Sequence, residues 1–282
     1  MSTLDEKGLG KRLQEARRAG GFTQQELCHK AGLSYSTLTK IERGAIKAPS
    51  IFTIQNIAAA LGVTLDELMG GSGGAHQPKQ ISKSGVRFVY FDLNGCLIRG
   101  GSRGFTDLAH QSGQPIDTVE TFFWKYDAQV CRGEMSLDEL NTRWAQRLGI
   151  MVDWKKYYMS AVEAMPDIKE LVEWVAKNYR LGIMSNTMPG FITSLRERHL
   201  IPNVAYDSIV DSSEAHALKP ELQIYEVAVA QAGVKPEEIL LIDDDRQNLI
   251  AAEQLGWRTV WFDSYQPKVS IENIRSALEP AS

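Results

Sequence analysis

Apolar residues recur at two different spacings along the chain, and the spacing changes near residue 86. Before that point they lie three or four positions apart, as Leu9, Leu13 and Ala16 do, which is typical of one face of an α-helix. After it, short apolar runs such as VRFVYFD, RLGIMSN and ILLIDDD end in polar residues and alternate with helical patterns. The pattern predicts an all-α front part and an α/β rear part with a parallel sheet covered on both faces.

A stretch without apolar periodicity separates the two parts. Residues 70–74 read GGSGG and are followed by AHQPKQISKSG, a composition typical of a flexible linker. We therefore predict four segments: a helical domain over 1–70, a linker over 71–85, an α/β domain over 86–265 and a C-terminal tail over 266–282.

The composition of the 282-residue chain is that of a globular protein, with 43% hydrophobic and 23% charged residues. No apolar run approaches the roughly 18 residues of a transmembrane helix, so we expect no membrane partner. The start of the chain lacks a signal-peptide core and the three cysteines form no CxxC pair, so we expect a cytoplasmic location. Residues 1–85 hold 11 Lys and Arg against 7 Asp and Glu, whereas the remainder holds 20 against 28. This asymmetry suggests that only the front part meets a polyanion.

Two short predicted helices in the front part are separated only by AGLS. Thr23 and Glu26 have the spacing of a capping box for the first helix. Ser34 suits the N-cap of the second helix, whose Leu38 and Ile41 face inward. This compact arrangement is typical of a helix-turn-helix, whose second helix enters the major groove of DNA.

The outer face of the second helix holds hydrogen-bonding side chains that suit base edges, and Gln24 at the start of the preceding helix suits a phosphate. Basic residues beyond the second helix suit the DNA backbone. The residues that we expect to contact DNA are Gln24, Tyr35, Ser36, Thr37, Lys40 and Arg43, with Lys47 as a further backbone contact. The alternative is a helical bundle that contacts only proteins.

Residues 7–69 resemble the Cro/repressor-type (XRE) helix-turn-helix family. The resemblance covers the Thr-Gln start, the AGLS turn, the IERG close and the LGVTLDEL end, where Thr64 and Glu67 form another predicted capping box. It implies binding to a double-stranded DNA operator, commonly as a dimer. A homodimer is compatible with this resemblance, although no residue in the sequence establishes it.

Polar residues follow the predicted strands of the rear part, where ligands gather in parallel sheets. Asp92 is a candidate nucleophile, because carboxylates form acyl-phosphate intermediates. Ser185 and Lys219 suit phosphoryl oxygens, and Asp243 or Asp244 suits Mg²⁺, a hard ion that prefers oxygen ligands. The alternative is an acidic cluster that is merely a solvated surface.

The rear motifs resemble the haloacid dehalogenase (HAD) superfamily over residues 86–265. FDLNG, MSNT, LKPELQIYEVA and LIDDDRQNLIAAEQLGW follow one another in that family's order. The resemblance implies a Rossmannoid α/β fold, a Mg²⁺ cofactor and a helical cap at about 104–160, whose three tryptophans, Trp124, Trp144 and Trp154, we interpret as core. It implies catalytic positions at Asp92, Ser185 and Lys219, a substrate-binding position at Asn186 beside Ser185, and metal ligands at Asp92, Asn94, Asp244 and Asp243. Gly95 is a further candidate for substrate binding, because glycine lets the backbone approach a phosphate closely.

The sequence departs from the HAD phosphatase pattern at Asn94, where those enzymes place a second Asp that exchanges protons. Asn keeps the backbone carbonyl that binds the metal, but its side chain cannot exchange a proton. General acid–base catalysis typically contributes about 10²–10⁴-fold, so we predict that Mg²⁺ and phosphate binding survive while hydrolysis is slowed. Dehalogenases of this fold also lack the second Asp, but they have no need of the Mg²⁺ cluster that this chain retains.

Two functions are consistent with these observations. In the first, the protein is a DNA-binding transcriptional regulator whose HAD-like domain binds Mg²⁺ and a phosphorylated small molecule with little or no turnover. In the alternative, it is an active Mg²⁺-dependent phosphoric monoester hydrolase that also contains a DNA-binding module. The sequence does not decide whether the chain is an enzyme.

Overall fold

The computed structural model of the chain describes residues 8–46, 49–61, 63 and 79–281. The chain forms two compact units, Met1–Gln77 and Pro78–Ser282. Lys47, Thr64 and Glu67, which the sequence predictions included, lie outside the described residues. In the described part of the front unit the helices are Gly8–Ala19 (α1), Gln24–Ala31 (α2), Tyr35–Glu42 (α3) and Ile51–Leu61 (α4).

The front helices bury one apolar face each in a common core. The capping box of Thr23 and Glu26 is formed at the start of α2, and Ser34 accepts a hydrogen bond from the Thr37 amide at the start of α3. These caps supply partners for backbone N–H groups that a helix leaves unpaired at its first turn. The core side chains include Leu13, Leu27, Leu38, Ile41 and Ile57.

The rear unit contains a five-stranded parallel sheet and a two-stranded antiparallel ribbon. The strands are Phe88–Phe91 (β1), Ile98–Arg99 (β2), Glu163–Ala164 (β3), Arg180–Ser185 (β4), Ser208–Asp211 (β5), Ile239–Asp243 (β6) and Arg258–Trp261 (β7). The sheet has the order β5-β4-β1-β6-β7, and β2 pairs with β3. In register, Phe91 lies opposite Ile183 on one side and Ile242 on the other, so β1 ends in the middle of the sheet edge.

Helices cover both faces of the sheet, and a group of four forms a cap. The helices are Arg103–Ser112 (α5), Ile116–Cys131 (α6), Leu137–Leu148 (α7), Trp154–Ala161 (α8), Ile168–Asn178 (α9), Phe191–Glu197 (α10), Ser212–Ala215 (α11), Leu222–Ala232 (α12), Arg246–Gln254 (α13) and Pro267–Ala277 (α14), with a 3₁₀ turn at Pro236–Glu238. Helices α5 to α8 lie between β2 and β3 and form the cap. None of the helices in the described residues is long and apolar enough to cross a membrane.

Alternating side chains of β1 enter two separate cores. Val89 and Phe91 pack in the cluster that continues into the cap, whereas Phe88 and Tyr90 pack on the opposite face. Successive residues of a strand point to opposite faces, and both faces are buried here. This double burial explains why the strands read as continuous apolar runs rather than as alternating ones.

Two boundaries of the sequence prediction need correction. The predicted linker extended to residue 85, but in residues 79–85 the Gln80 amide donates to the Asn178 carbonyl at 2.6 Å and Ser82 forms a β-bridge with Pro280. The predicted tail instead begins with α14, which buries Ile274, and Leu278 just beyond it is also buried. The two ends of the rear unit therefore pair with each other, a contact between distant segments that local composition does not reveal.

Candidate functional site

Three carboxylates meet where β1 and β6 end side by side. Asp92 directly follows β1, Asp243 is the last residue of β6 and Asp244 comes next. One oxygen from each lies within 4.8 Å of the others. Because adjacent parallel strands end at the same edge of a sheet, the two motifs that contain these residues are brought together although about 150 positions separate them in the sequence.

A buried lysine lies between two of these carboxylates. Lys219 Nζ is 2.9 Å from Asp92 Oδ1 and 2.5 Å from Asp243 Oδ2, and all three side chains are buried. Burial works against the ammonium charge, but the two carboxylates outweigh it and raise the pKa of Lys219. Burial also raises the pKa of Asp92, against the opposing effect of Lys219. The ammonium therefore stays charged and is positioned to neutralise negative charge at this sheet edge.

Asn186 holds the backbone of Lys219 through two hydrogen bonds. Asn186 Nδ2 donates to the Lys219 carbonyl at 2.8 Å, and the Lys219 amide donates to Asn186 Oδ1 at 2.7 Å. The sequence prediction placed Asn186 in substrate binding. In the structure it lines the cavity described below, but both ends of its amide are engaged with Lys219. Its clearest effect is to position the lysine.

Asp243 and Asp244 have different surroundings. Asp243 accepts hydrogen bonds from the Asp245 amide, from Asn248 Nδ2 and from Lys219 Nζ, so both of its oxygens have donors. Burial, together with the charges of Asp92 and Asp243, raises the pKa of Asp244 to about 7. Asp243 is thus a carboxylate with hydrogen-bond donors on both oxygens, whereas the charge of Asp244 is opposed by burial and by its two acidic neighbours.

Gly95 admits the Asp244 side chain. Its φ of +80° lies in the left-handed region, and a Cβ built there would lie 1.9 Å from Asp244 Oδ2. The Gly95 amide donates to the Ile98 carbonyl at 2.8 Å. From the sequence we expected Gly95 to allow a phosphate to approach the backbone. The structure shows instead that the space above Gly95 is occupied by the carboxylate of Asp244, although Gly95 still lines the cavity.

The side chain of Asn94 is hydrogen-bonded to the cap. The Tyr158 hydroxyl, on α8, donates to Asn94 Oδ1 at 2.5 Å. Burial raises the pKa of Tyr158, and the nearby charge of Asp92 adds to this effect, so the phenol remains a protonated donor. The residue at position 94 is therefore an amide whose oxygen is engaged by a phenolic partner.

Ser185 ends β4 beside Asp92. Its side chain is buried, and within the part of the chain that the structure describes its hydroxyl oxygen makes no hydrogen bond of ordinary geometry. A buried hydroxyl without a partner is costly unless a ligand or water satisfies it. Its hydroxyl faces Asp92, where burial raises the pKa and this hydroxyl lowers it, but Ser185 does not line the cavity described below, so its phosphoryl-binding role stays a prediction.

A cavity of about 750 Å³ opens between this sheet edge and the cap. Asp92, Lys219 and Asp244 line it from the sheet edge, and aromatic side chains of the cap also line it. The interpretation of the cap tryptophans as core is correct for Trp144, whereas Trp154 is buried in the core and also lines the cavity. It is wrong for Trp124, which is 64% exposed and lines the cavity.

The residues predicted to contact DNA cluster around α3 in the front unit. Ser36, Lys40 and Arg43 are exposed, Tyr35 is 52% exposed, and Thr37 is half-buried. The Tyr35 hydroxyl donates to Gln24 Oε1 at 2.9 Å. These hydrogen-bonding groups form one surface along α3 and the start of α2.

The Gln24 side chain is hydrogen-bonded to a buried ion pair between Arg17 and Glu42. Its Nε2 donates to Glu42 Oε2 at 2.7 Å, and Glu42 also accepts from Arg17 Nε at 2.7 Å. Burial works against the Glu42 charge, but the Arg17 and Gln24 hydrogen bonds outweigh it and lower the pKa of Glu42. The sequence reasoning missed this pair, because an Arg and a Glu 25 positions apart show no local signal.

Comparison with known families agrees with both units. Residues 13–68 match the helix-turn-helix family, and residues 86–256 match the haloacid dehalogenase-like hydrolase family. The chain belongs to the haloacid dehalogenase-like hydrolase family, and its front domain is an XRE-type helix-turn-helix. The fold class and both family resemblances predicted from the sequence are therefore confirmed.

Relatives are found for each domain of this HAD-like protein. The chain is 31% identical over 122 residues to the uncharacterized HTH-type transcriptional regulator RghRB of Bacillus subtilis, a match spanning 41% of this chain and 88% of that protein. A solved HAD-like hydrolase from Porphyromonas gingivalis has a TM-score of 0.56 at 23% identity and covers 67% of this chain and 98% of its own. A HAD family enzyme from Bacteroides thetaiotaomicron, solved with magnesium and inorganic phosphate, has a TM-score of 0.53 at 22% identity and covers 63% and 94%. At these identities the structural likeness shows the fold alone.

Proposed function

We propose that this HAD-like protein is a transcriptional regulator that binds a DNA operator through its helix-turn-helix domain and senses a phosphorylated small molecule through its HAD-like domain. The observation that favours sensing over turnover is the amide of Asn94, hydrogen-bonded to Tyr158, beside an otherwise complete set of phosphate and metal residues. A cytoplasmic location and a homodimer that reads paired half-sites belong to the same proposal.

The donor set at the sheet edge fits Mg²⁺. The ion would be held by the carboxylates of Asp92 and Asp244 and by the backbone carbonyl of Asn94, since carboxylate and carbonyl oxygens are its usual protein ligands. Asp243 would support these ligands. The close approach of Asp244 over Gly95, which any Cβ would block, supports this assignment. Bound Mg²⁺ would supply positive charge to phosphoryl oxygens. The solved Bacteroides relative, complexed with magnesium and inorganic phosphate, is consistent with this reading.

Each remaining site residue has a separate chemical task. Lys219 and Ser185 would bind phosphoryl oxygens, and Asp92 would attack phosphorus, forming an acyl phosphate as the bond to the leaving oxygen breaks. An alkoxide that leaves in this way requires a proton, and the later attack of water requires a base. Asn94 can provide neither, and Tyr158 with its raised pKa is not a base near neutral pH. Turnover of unactivated esters is therefore expected to be slow.

Replacing Asn94 by Asp tests this account of turnover. We expect hydrolysis of an alkyl phosphate by Asn94→Asp to exceed that of the wild type by about 10²–10⁴-fold, the usual contribution of general acid–base catalysis. The matched control is the double variant Asp92→Asn with Asn94→Asp, which should be inactive because it lacks the nucleophile. Wild-type turnover equal to that of Asn94→Asp would contradict the proposal and favour an active phosphatase.

DNA binding is tested by selection from a random double-stranded pool, followed by affinity measurements at several salt concentrations. We expect Lys40→Ala to weaken binding and to reduce the slope of log affinity against log salt by about one, as for the loss of one phosphate contact. Lys11→Ala, on the exposed side of α1, is the control and should change neither quantity. Absence of any selected sequence would count against the regulator.

Control by a ligand requires different affinities for the DNA-competent and incompetent states. Operator affinity measured with Mg²⁺, with and without a panel of phosphate monoesters, is expected to change several-fold for at least one ester. An operator affinity that no ester changes would leave DNA binding intact as a proposal but contradict sensing.

A further inference from the structure

The cavity of the HAD-like domain is lined by more side chains than the proposed phosphate site uses. Its volume of about 750 Å³ lies within the range of about 300–1,000 Å³ typical of pockets that bind whole small molecules. Besides Asp92 and Lys219, the lining includes side chains of the cap helices α5, α6 and α8, and these form the cap wall. Whatever that wall recognises is therefore the organic part of the phosphorylated ligand.

One face of α6 supplies most of this cap wall. Phe123, Trp124, Asp127 and Cys131 all line the cavity. Residues three and four positions apart lie on the same side of a helix, so the spacing itself places these side chains together. The stripe combines two aromatic rings with a single carboxylate.

Aromatic rings from other cap helices extend the wall. Phe105 on α5 and Trp154 on α8 also line the cavity. The Phe105 ring centroid lies 4.9 Å from that of Phe123 and 4.7 Å from that of Trp154, and the Phe123 and Trp124 centroids are 5.0 Å apart. These contacts hold the rings in place around the carboxylate-bearing face of α6.

Asp127 has no cationic partner among the described residues. Its Oδ1 accepts a weak hydrogen bond from Cys131 Sγ at 3.5 Å. The two cations that line the same cavity are already paired, Lys219 with the site carboxylates and Arg99 with Glu163. Burial raises the pKa of Asp127, which reflects the cost of leaving this carboxylate without a counter-charge.

We propose that the cap wall of the cavity binds an ammonium group, so that the ligand is a phosphate monoester with a positively charged amine. The inference rests on the phosphate site proposed at Asp92 and Lys219. Aromatic faces attract cations, and the attraction strengthens when water is excluded. Asp127 supplies the opposite charge. A neutral tail would leave that half-buried carboxylate unpaired, so the wall discriminates against it.

The test compares aminoalkyl phosphates with alkyl phosphates of matched chain length, by calorimetric titration of the full-length protein with Mg²⁺ present. At the chain length that spans the cavity, the amine is expected to bind about tenfold more tightly or better. In Asp127→Asn the ratio of the two affinities should fall to about one. Asp107→Asn, which removes an exposed cap carboxylate outside the cavity, is the control and should keep the wild-type ratio.

A second variant guards against an Asp127 variant that fails to fold. Trp124 is mostly exposed, so Trp124→Leu should fold, and its preference for the amine should fall about threefold. Equal binding of the amine and alkyl series by the wild type would overturn the inference, as would a preference that survives both variants. Inorganic phosphate separates the two proposals. If it fails to bind with Mg²⁺, the proposed phosphate site fails, whereas phosphate binding without an amine preference refutes the ammonium site alone.

Discussion

Replacing Lys219 by Met removes the ammonium group that lies between the buried carboxylates of Asp92 and Asp243. The ammonium lies 2.9 Å from Asp92 and 2.5 Å from Asp243, with side-chain exposures of 1% for the lysine and 9% and 0% for the carboxylates. Removing one partner of a buried pair typically costs about 3–5 kcal/mol, because an uncompensated charge stays in a poorly solvated place. We expect Lys219→Met to lower the free energy of unfolding by this amount at pH 8.

A surface pair of the same length provides the matched control. Lys83 lies 2.8 Å from Glu279, but the two side chains are 62% and 56% exposed. Exposed pairs contribute about 0–1 kcal/mol. Lys83→Met should therefore have a small effect on the free energy of unfolding although the distance is similar, which identifies burial as the cause of the large effect of Lys219→Met.

Tryptophan fluorescence during urea unfolding is a suitable assay, because all six tryptophans lie in the rear unit and the front unit has none. For a domain of this size, about 3–5 kcal/mol corresponds to a fall in melting temperature of about 6–20 °C. The signal reports the HAD-like domain even if the helix-turn-helix domain unfolds separately.

The loss should also depend on pH. Without the ammonium, the two neighbouring carboxylates repel each other and the pKa of one of them rises above its unfolded value. A carboxyl whose folded pKa is raised takes up a proton on folding, so the variant regains stability as the pH falls through that folded pKa. The deficit relative to wild type should be smaller at pH 5 than at pH 8. A deficit below about 1 kcal/mol at pH 8, or one that is equal at both pH values, would refute this reasoning.

Three further predictions concern the metal residues and the front domain. Gly95→Ala should abolish Mg²⁺ binding in a calorimetric titration, because the new Cβ would lie 1.9 Å from an oxygen of Asp244. Gly113→Ala is the control and should bind Mg²⁺ like the wild type, because Gly113 has a similar φ and a Cβ there would meet no atom within 4 Å. Burial raises the pKa of Asp244 to about 7, and this carboxyl must lose its proton to bind the ion. The affinity for Mg²⁺ should therefore fall about tenfold per pH unit below pH 7 and level off above it. An affinity that stays constant from pH 5 to 8 would contradict this prediction. Glu42→Gln should leave the Arg17 charge buried without its carboxylate and lower the free energy of unfolding of the helix-turn-helix domain by about 3 kcal/mol. Thermal melts followed by far-ultraviolet circular dichroism measure this change. A decrease under about 1 kcal/mol would mean that the neutral amide replaces the carboxylate adequately.

The N-caps of the front helices could be predicted from the sequence, because the groups that form each cap lie within three positions of each other. Thr23 with Glu26, and Ser34 with the Thr37 amide, form the expected caps. The polar residues that follow apolar runs also fell at one edge of the sheet, since parallel strands of an α/β fold end on the same side. Local spacing and strand direction were sufficient for these predictions.

The hydrogen-bond partners of individual site residues could not be predicted from the sequence in this way. The phenol that holds Asn94 comes from Tyr158, 64 positions later and on another structural layer. Which face of α6 meets the cavity, and hence that Asp127 and Trp124 line it, depends on how the cap helices pack on one another. The pairing of residues 79–85 with the end of the chain is equally non-local.

The sequence by itself determined the two families, the order of their motifs and the absence of a second carboxylate at position 94, because each is a property of residue identity or of short-range spacing. Only the tertiary structure decided that both oxygens of Asp243 accept hydrogen bonds while the pKa of Asp244 is raised. It also decided that Asp127 lies among the aromatic rings of the cap with no cationic partner in the described part of the chain. Burial and the distance between charges set those properties, and both arise when remote segments pack together.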